Sequence, residues 1–248
     1  MNLAYCTLAT NERYLEGANL LYQSYLRTES KYPFFVMVWA DVDLTGYEEL
    51  PVKVIDHIGE HNIFWGFRPI QFNTDDMTTM SKLGAFTCVA YDYVMFIDAD
   101  NIITENLDDD FEAMVARMSE GGQLFVRKYD ENYLQSTYKI ENLHGLYSSW
   151  FIAKPSYLTF KVLNRNILDS INEENLFYNM WVNGQLQVCF PGEMEDELDP
   201  LNSMKIINCP TEFLPNKYWE TQEGMDFYYA VLEDKYYANE FMATRDDG

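Results

Sequence analysis

Short apolar segments alternate with helical patterns along the first hundred residues. Between the first two segments, apolar residues recur at helical spacing from Leu15 to Tyr25, and another helix is predicted from about 78 to 90. Strands are predicted for the segments 3–9, 34–40, 52–56 and 93–97. Because strands that alternate with helices usually form a parallel sheet covered on both faces, we expect an α/β fold.

The second half of the chain has a less regular pattern. Strands are predicted at 123–128 and 149–155, and helices at 156–171 and 173–182. No linker-like segment interrupts the 248 residues. We therefore expect one domain over residues 1–248, with a regular lobe to about residue 120 and an irregular lobe from about 121 onwards.

The composition disfavours several classes of partner. Forty acidic and 17 basic residues give a net charge of −23, which repels nucleic acid and anionic lipid. No apolar run reaches the roughly 18 residues of a membrane span, so none is expected. The N-terminus lacks a signal-peptide pattern, and the four cysteines form no Cys-x-x-Cys motif. These features predict reduced thiols and a cytoplasmic location.

Two carboxylates follow the apolar segment 93–97. Asp98 and Asp100 stand one residue apart, at the edge of a parallel sheet where ligands bind. Like charges at this spacing repel unless a cation or a dense set of donors lies between them. Carboxylate oxygens suit Mg²⁺ or Mn²⁺, which would bridge to phosphates. The acidic run at 107–111 is interpreted instead as a solvated helix start.

Three segments together resemble the glycogenin-type retaining glycosyltransferases, glycosyltransferase family 8. They are "AYCTLATNERYLEGANLLYQSYL" (4–26), "MSKLGAFTCVAYDYVMFIDADNIITENLDDDF" (80–111) and "NKYW" (216–219). The resemblance implies a Rossmann-like nucleotide-sugar-binding lobe of the family-A glycosyltransferase fold, followed by an irregular acceptor lobe. It also implies a UDP-sugar donor and Mn²⁺ as cofactor, with Mg²⁺ as the alternative.

The resemblance implies roles for individual residues. Asp98 and Asp100 would hold the metal that stabilises the leaving group, Lys82 would contact the donor sugar or a carboxylate, and Lys217 would add a second cation at the diphosphate. Glu174, assigned to catalysis, and Asn175 correspond to an Asp-Gln pair that faces the sugar. The uracil and ribose would be held by Leu8, Thr10, Asn11 and Tyr14. Ser149 corresponds to the serine of an Asn-Ser-Gly motif whose glycine is Trp150 here.

The third metal ligand differs from the one in the family that this chain resembles. The family has a histidine where this chain has Asn208, and three extra residues before Lys217 leave Cys209 or Glu212 as alternatives. His57 and His61 are separated by a glycine and are not expected to form a helical metal pair. His144 is interpreted as a loop residue.

The leading hypothesis is a transferase that moves a hexose from a UDP-sugar to a saccharide or protein hydroxyl. Two alternatives stay open: a nucleotide-sugar-binding protein without turnover, and a glycosyltransferase that acts on modified nucleic-acid bases. A homodimer is also considered.

Overall fold

The computed structural model describes residues 1–55, 79–118, 121–128, 144–167, 170, 172–191, 200–201, 203–209, 217–239 and 241. His57, His61 and Glu212 lie outside these ranges. In the part of the chain that is described, no helix is long and apolar enough to span a membrane.

A mixed sheet forms the centre of the molecule. Its strand order is β3-β2-β1-β4-β7-β6-β8, and β5 pairs with β9 in a separate antiparallel ribbon. The first four strands in that order are parallel, whereas β7 is antiparallel to both β4 and β6. The strands are β1 Leu3–Ala9, β2 Phe34–Trp39, β3 Val52–Ile55, β4 Tyr93–Ile97, β5 Asn101–Ile103, β6 Leu124–Lys128, β7 Leu146–Ala153, β8 Val188–Cys189 and β9 Ile206–Asn208.

Helices cover both faces of this sheet. The α-helices are α1 Glu12–Leu26, α2 Asp108–Met118, α3 Tyr157–Arg165, α4 Glu173–Val182 and α5 Gln222–Glu233, and 3-10 helices span Thr79–Thr87 and Tyr218–Glu220. Side chains of Asn11, Ser156 and Asn172 accept hydrogen bonds from backbone N–H groups at the starts of α1, α3 and α4. These caps satisfy donors that a helix leaves unpaired, so they fix where each helix begins.

Strands β1, β2 and β4 are buried along their whole length. One layer of core side chains comes from the 3-10 helix and α4, including Phe86 and Phe177. The other layer comes from α1 and α2, including Leu15 and Phe111. Burial on both faces explains why these strands are continuous apolar runs rather than alternating ones.

The α/β prediction is confirmed, with some differences in detail. The helix expected at 78–90 is a 3-10 helix, and the helix expected at 156–171 ends as an α-helix at Arg165. The strand predicted at 149–155 begins earlier, at Leu146. Strands from both sides of residue 120 share one sheet, so the two-lobe division stays a prediction.

The interpretation of 107–111 as a solvated helix start is wrong for Asp108. This residue is only 4% exposed. Its carboxylate accepts hydrogen bonds from the Tyr5 hydroxyl (2.9 Å), the Ser30 hydroxyl (2.5 Å) and the Lys31 backbone N–H (2.9 Å). A dense set of donors therefore compensates for burying this charge.

Candidate functional site

The two aspartates lie where β4 ends. The backbone N–H of Asp98 donates to the carbonyl oxygen of Ser149 on β7 at 2.8 Å, so β7 continues past the end of β4. Asn101 follows at once as the first residue of β5 and pairs with Asn208 on β9. The Asp98–Asp100 turn is thus held between the main sheet and the β5–β9 ribbon.

A buried ion network surrounds Asp98. The Lys82 ammonium lies 2.9 Å from one carboxylate oxygen of Asp98 and 3.0 Å from the other. It also lies 2.8 Å from Glu173 at the start of α4 and 3.1 Å from the hydroxyl of Ser148. Ser148 in turn donates to Glu173 at 2.6 Å. One lysine therefore joins the 3-10 helix to β4 and α4.

The pKa values of this network follow from burial and from the close charges. Burial alone would lower the pKa of Lys82, but Asp98 and Glu173 raise it, so the ammonium stays charged. Burial would raise the pKa of Glu173, yet Lys82 and Ser148 hold it below its usual value. Burial raises the pKa of Asp98 to about 7; Lys82 opposes this rise and the charge of Asp100 adds to it. Burial thus makes the charge of Asp98 costly to keep.

Asp100 has its own lysine partner. The Lys217 ammonium lies 2.6 Å from the Asp100 carboxylate and 5.4 Å from the centre of the Tyr14 ring. Burial would lower the pKa of Lys217, but Asp100 raises it. The structure thereby brings together Tyr14, Asp100 and Lys217, to which the resemblance gives roles at the uracil, the metal and the diphosphate.

Packing against α1 fixes the segment that carries Lys217. A Cβ atom at Gly17 would lie 2.4 Å from the Trp219 ring, so only glycine admits this indole against the helix. Glu220 forms an ion pair with Arg13 at 2.7 Å and accepts a hydrogen bond from the Lys217 backbone N–H at 2.6 Å. These contacts place Lys217 at the aspartates although 117 residues separate it from Asp100.

Asn208 is exposed and lies near the aspartates. Its amide nitrogen donates to the Tyr147 hydroxyl at 3.0 Å. Burial raises the pKa of Tyr147, and hydrogen bonds from Ser149 and Asn208 oppose this rise. Ser149 is buried and exchanges hydrogen bonds with the Asn101 side chain at 3.0 and 3.3 Å. In this structure Ser149 therefore supports the turn after Asp98.

The other residues assigned by sequence contact neighbours of the aspartates or other parts of the fold. Glu174 is half-buried and accepts from the Ser148 hydroxyl at 3.2 Å. Asn175 is buried, and its amide donates to the His144 carbonyl oxygen at 2.8 Å. Leu8 and Thr10 are each 8% exposed at the end of β1, and the amide oxygen of Asn11 caps α1. Their contacts with a donor stay predictions.

The donor atoms present fit a divalent cation of the Mg²⁺ or Mn²⁺ type. Four carboxylates and two ammonium groups meet here, which gives a formal charge of −2 when all of them are ionised (Asp98, Asp100, Glu173, Glu174, Lys82 and Lys217). Carboxylate and amide oxygens are suitable ligands for such an ion. Among the described residues, no three His, Cys, Asp or Glu side chains form a metal-binding group. Asp98, Asp100 and the neutral Asn208 are the candidate ligands.

Glu173, Ser148 and Tyr147 were not assigned to the site by sequence. Glu173 is the acidic residue that contacts Lys82, whereas the resemblance pointed to the next residue, Glu174. Helical geometry could have indicated that the two glutamates have different roles. Side chains 173 and 174 point in directions about 100° apart, so only one of them can face the sheet.

The fold is that of the family-A glycosyltransferases. It is similar to the structure of the bifunctional glycosyltransferase WbbM in its apo form, with a TM-score of 0.58 and 14% identity over 94% of this chain and 50% of that one. The galactosyltransferase LgtC, solved with donor and acceptor sugar analogues, gives a TM-score of 0.55 and 13% identity over 96% and 99%. GlyE of Streptococcus pneumoniae TIGR4 gives 0.52 and 13% over 97% and 64%.

This likeness confirms the predicted fold. The chain spans half of the WbbM chain and 64% of the GlyE chain, but nearly all of LgtC. No family model matches the sequence. No curated protein matches it either.

Proposed function

We propose that this protein is a retaining glycosyltransferase that moves a hexose from a UDP-sugar to a saccharide or protein hydroxyl. The observation that carries the proposal is the pair Asp98 and Asp100 at the end of β4, each ion-paired with a lysine from a different part of the chain. Ligands of open α/β sheets bind at this edge. The family-A fold is the second support.

Different residues of the site would bind the two ends of a nucleotide-sugar. Tyr14 offers a ring for the uracil, and the adjoining Lys217 offers an ammonium to the diphosphate. Lys82, fixed by Glu173 and Ser148, is placed to hold Asp98 in one orientation and to donate toward the sugar. A divalent cation bound to Asp98 and Asp100 would supply Lewis-acid stabilisation of the charge that develops on the departing UDP.

The test is a screen of UDP-sugars in which UDP release is measured with and without Mn²⁺. The matched variants are Asp100→Asn and Asp110→Asn, because Asp110 forms an ion pair with Lys205 at the same 2.6 Å outside the site. We expect release from at least one donor and a loss of about a hundredfold or more in Asp100→Asn. Asp110→Asn should stay near wild type. Equal rates in the two variants would contradict the proposal.

A second candidate is a nucleotide-sugar-binding protein without turnover. The observation that favours it is the composition of the candidate metal site. In the described ranges this site has two aspartates and one neutral amide, and no group of three His, Cys, Asp or Glu side chains. UDP binding without UDP release from any donor would select this candidate.

A further inference from the structure

Aromatic side chains cluster at the end of α4 that lies away from the aspartates. Tyr178 and Trp181 contact edge to face at 5.8 Å, and Trp181 contacts Phe190 in the same way at 5.0 Å. The ring of His144 stacks on Tyr178 at 5.0 Å. All four rings are half-buried. We call Tyr178, Trp181 and Phe190 the aromatic platform.

One exposed cation adjoins the aromatic platform. The Lys128 ammonium lies 4.9 Å from the centre of the Trp181 ring and 4.9 Å from the centre of the Phe190 ring. The ammonium thus lies over both rings, where it adds a hydrogen-bond donor to their flat apolar surfaces.

The platform is continuous with the candidate site. Glu174, Tyr178 and Trp181 are four and three residues apart, so they share one face of α4. Along the helix axis, Tyr178 lies about 6 Å and Trp181 about 10 Å from Glu174. Glu174 accepts a hydrogen bond from the Ser148 hydroxyl in the network around Asp98. This face of α4 therefore extends from the carboxylates to the rings.

Strand register places the platform at the edge of the sheet that carries the aspartates. Lys128 ends β6 and pairs with Leu146, beyond the position on β7 that meets the end of β4. Strand β6 is two strands from β4, roughly 10 Å to the side. Lys128 and the end of β4 are therefore separated by one intervening strand, β7.

We propose that the aromatic platform binds the acceptor, and that the acceptor is a saccharide. A hexose has a face of C–H groups that packs on an aromatic ring, and hydroxyls around its rim that pair with groups such as the Lys128 ammonium. Ring faces with a few polar groups are typical of small-molecule sites. A peptide would instead use a strand edge or a groove for its backbone. The inference rests on the proposed function and names the substrate class of its acceptor side.

The test uses three neutral disaccharides as probes: maltose, cellobiose and lactose. Binding to the full chain is measured without donor, by saturation-transfer NMR and tryptophan fluorescence. The variants are Trp181→Leu and Tyr178→Leu. The matched control is Tyr157→Leu, because Tyr157 is 58% exposed at the start of α3, outside the platform. Thermal melting checks that each variant is folded.

We expect at least one disaccharide to bind, and both platform variants to weaken it about fivefold. The control should bind as wild type does. Equal binding by all variants, no binding of any probe, or binding of a peptide in place of the sugars would overturn the inference. UDP affinity is measured in the same samples. A chain that binds the sugars through the platform but binds no UDP would keep this inference and reject the proposed function.

Discussion

At the scale of the residue, two neighbouring glutamates have different environments. The Glu173 side chain is 2% exposed and pairs with Lys82, whereas Glu174 is half-buried. A buried ion pair that loses one member leaves a charge without its partner in a medium of low dielectric. The two positions therefore separate a structural carboxylate from one that can face a ligand.

Glu173→Gln should lower the free energy of unfolding by about 2 kcal/mol, because Lys82 loses one of its two buried carboxylate partners and keeps only Asp98. Glu174→Gln should change it by about 0.5 kcal/mol or less. Urea unfolding of both variants measures the difference. Similar losses in both would mean that Lys82 does not depend on Glu173.

Among the proposed metal ligands, Asn208 is the one whose replacement would most change the choice of metal. We predict that Asn208→His raises Mn²⁺ affinity in the presence of UDP by about tenfold and steepens the preference for Mn²⁺ over Mg²⁺, because imidazole favours the softer ion. Titration calorimetry with each metal measures both quantities. Asn208→Ala serves as the control and should not raise affinity. An unchanged Mn²⁺ affinity in the histidine variant would mean that residue 208 does not reach the ion.

At the scale of the element, α2 begins on a buried charge. Asp108, the first residue of α2, accepts hydrogen bonds from β1 and from the loop before β2. One carboxylate thus ties a helix start to the sheet, which explains why the sequence run Asp108–Asp110 is not a uniform solvated surface. Position, rather than residue type, distinguishes Asp108 from the exposed Asp109.

Asp108→Asn should lower the free energy of unfolding by about 2 kcal/mol, because hydrogen bonds to a charged acceptor are replaced by weaker ones and one acceptor becomes a donor. Asp109→Asn is the matched control and should be within about 0.5 kcal/mol of wild type. Thermal or urea unfolding gives both values. Equal stability of the two variants would contradict the structural role of Asp108.

Local sequence patterns predicted which segments form strands and helices better than they predicted which strands lie side by side. The apolar run before Asp98 and the spacing in α4 are properties of short segments, so β4 and the bounds of α4 could be read from the sequence. The antiparallel insertion of β7 beside β4 depends on tertiary packing that no local pattern encodes. The meeting of Lys217 with Asp100 was expected only through the family resemblance.

At the scale of the whole molecule, the net charge disfavours the binding of anionic ligands in the absence of a cation. A net charge of −23 opposes the approach of a diphosphate. Lys82 and Lys217 are both engaged by carboxylates, so they only partly offset this field. A divalent cation is the simplest addition that would make the aspartate edge attractive to UDP.

Calorimetric titration of UDP, with Mn²⁺ or with a chelator, tests the central claim most directly. We expect UDP to bind in Mn²⁺ and to weaken at least about tenfold in the chelator. We also expect UDP to bind more tightly than GDP, because the proposed base site at Leu8, Thr10, Asn11 and Tyr14 would accept one ring and a purine would overfill it. UDP affinity that does not change on chelation, or GDP binding as tight as UDP, would contradict a metal-assisted UDP-sugar site at Asp98 and Asp100.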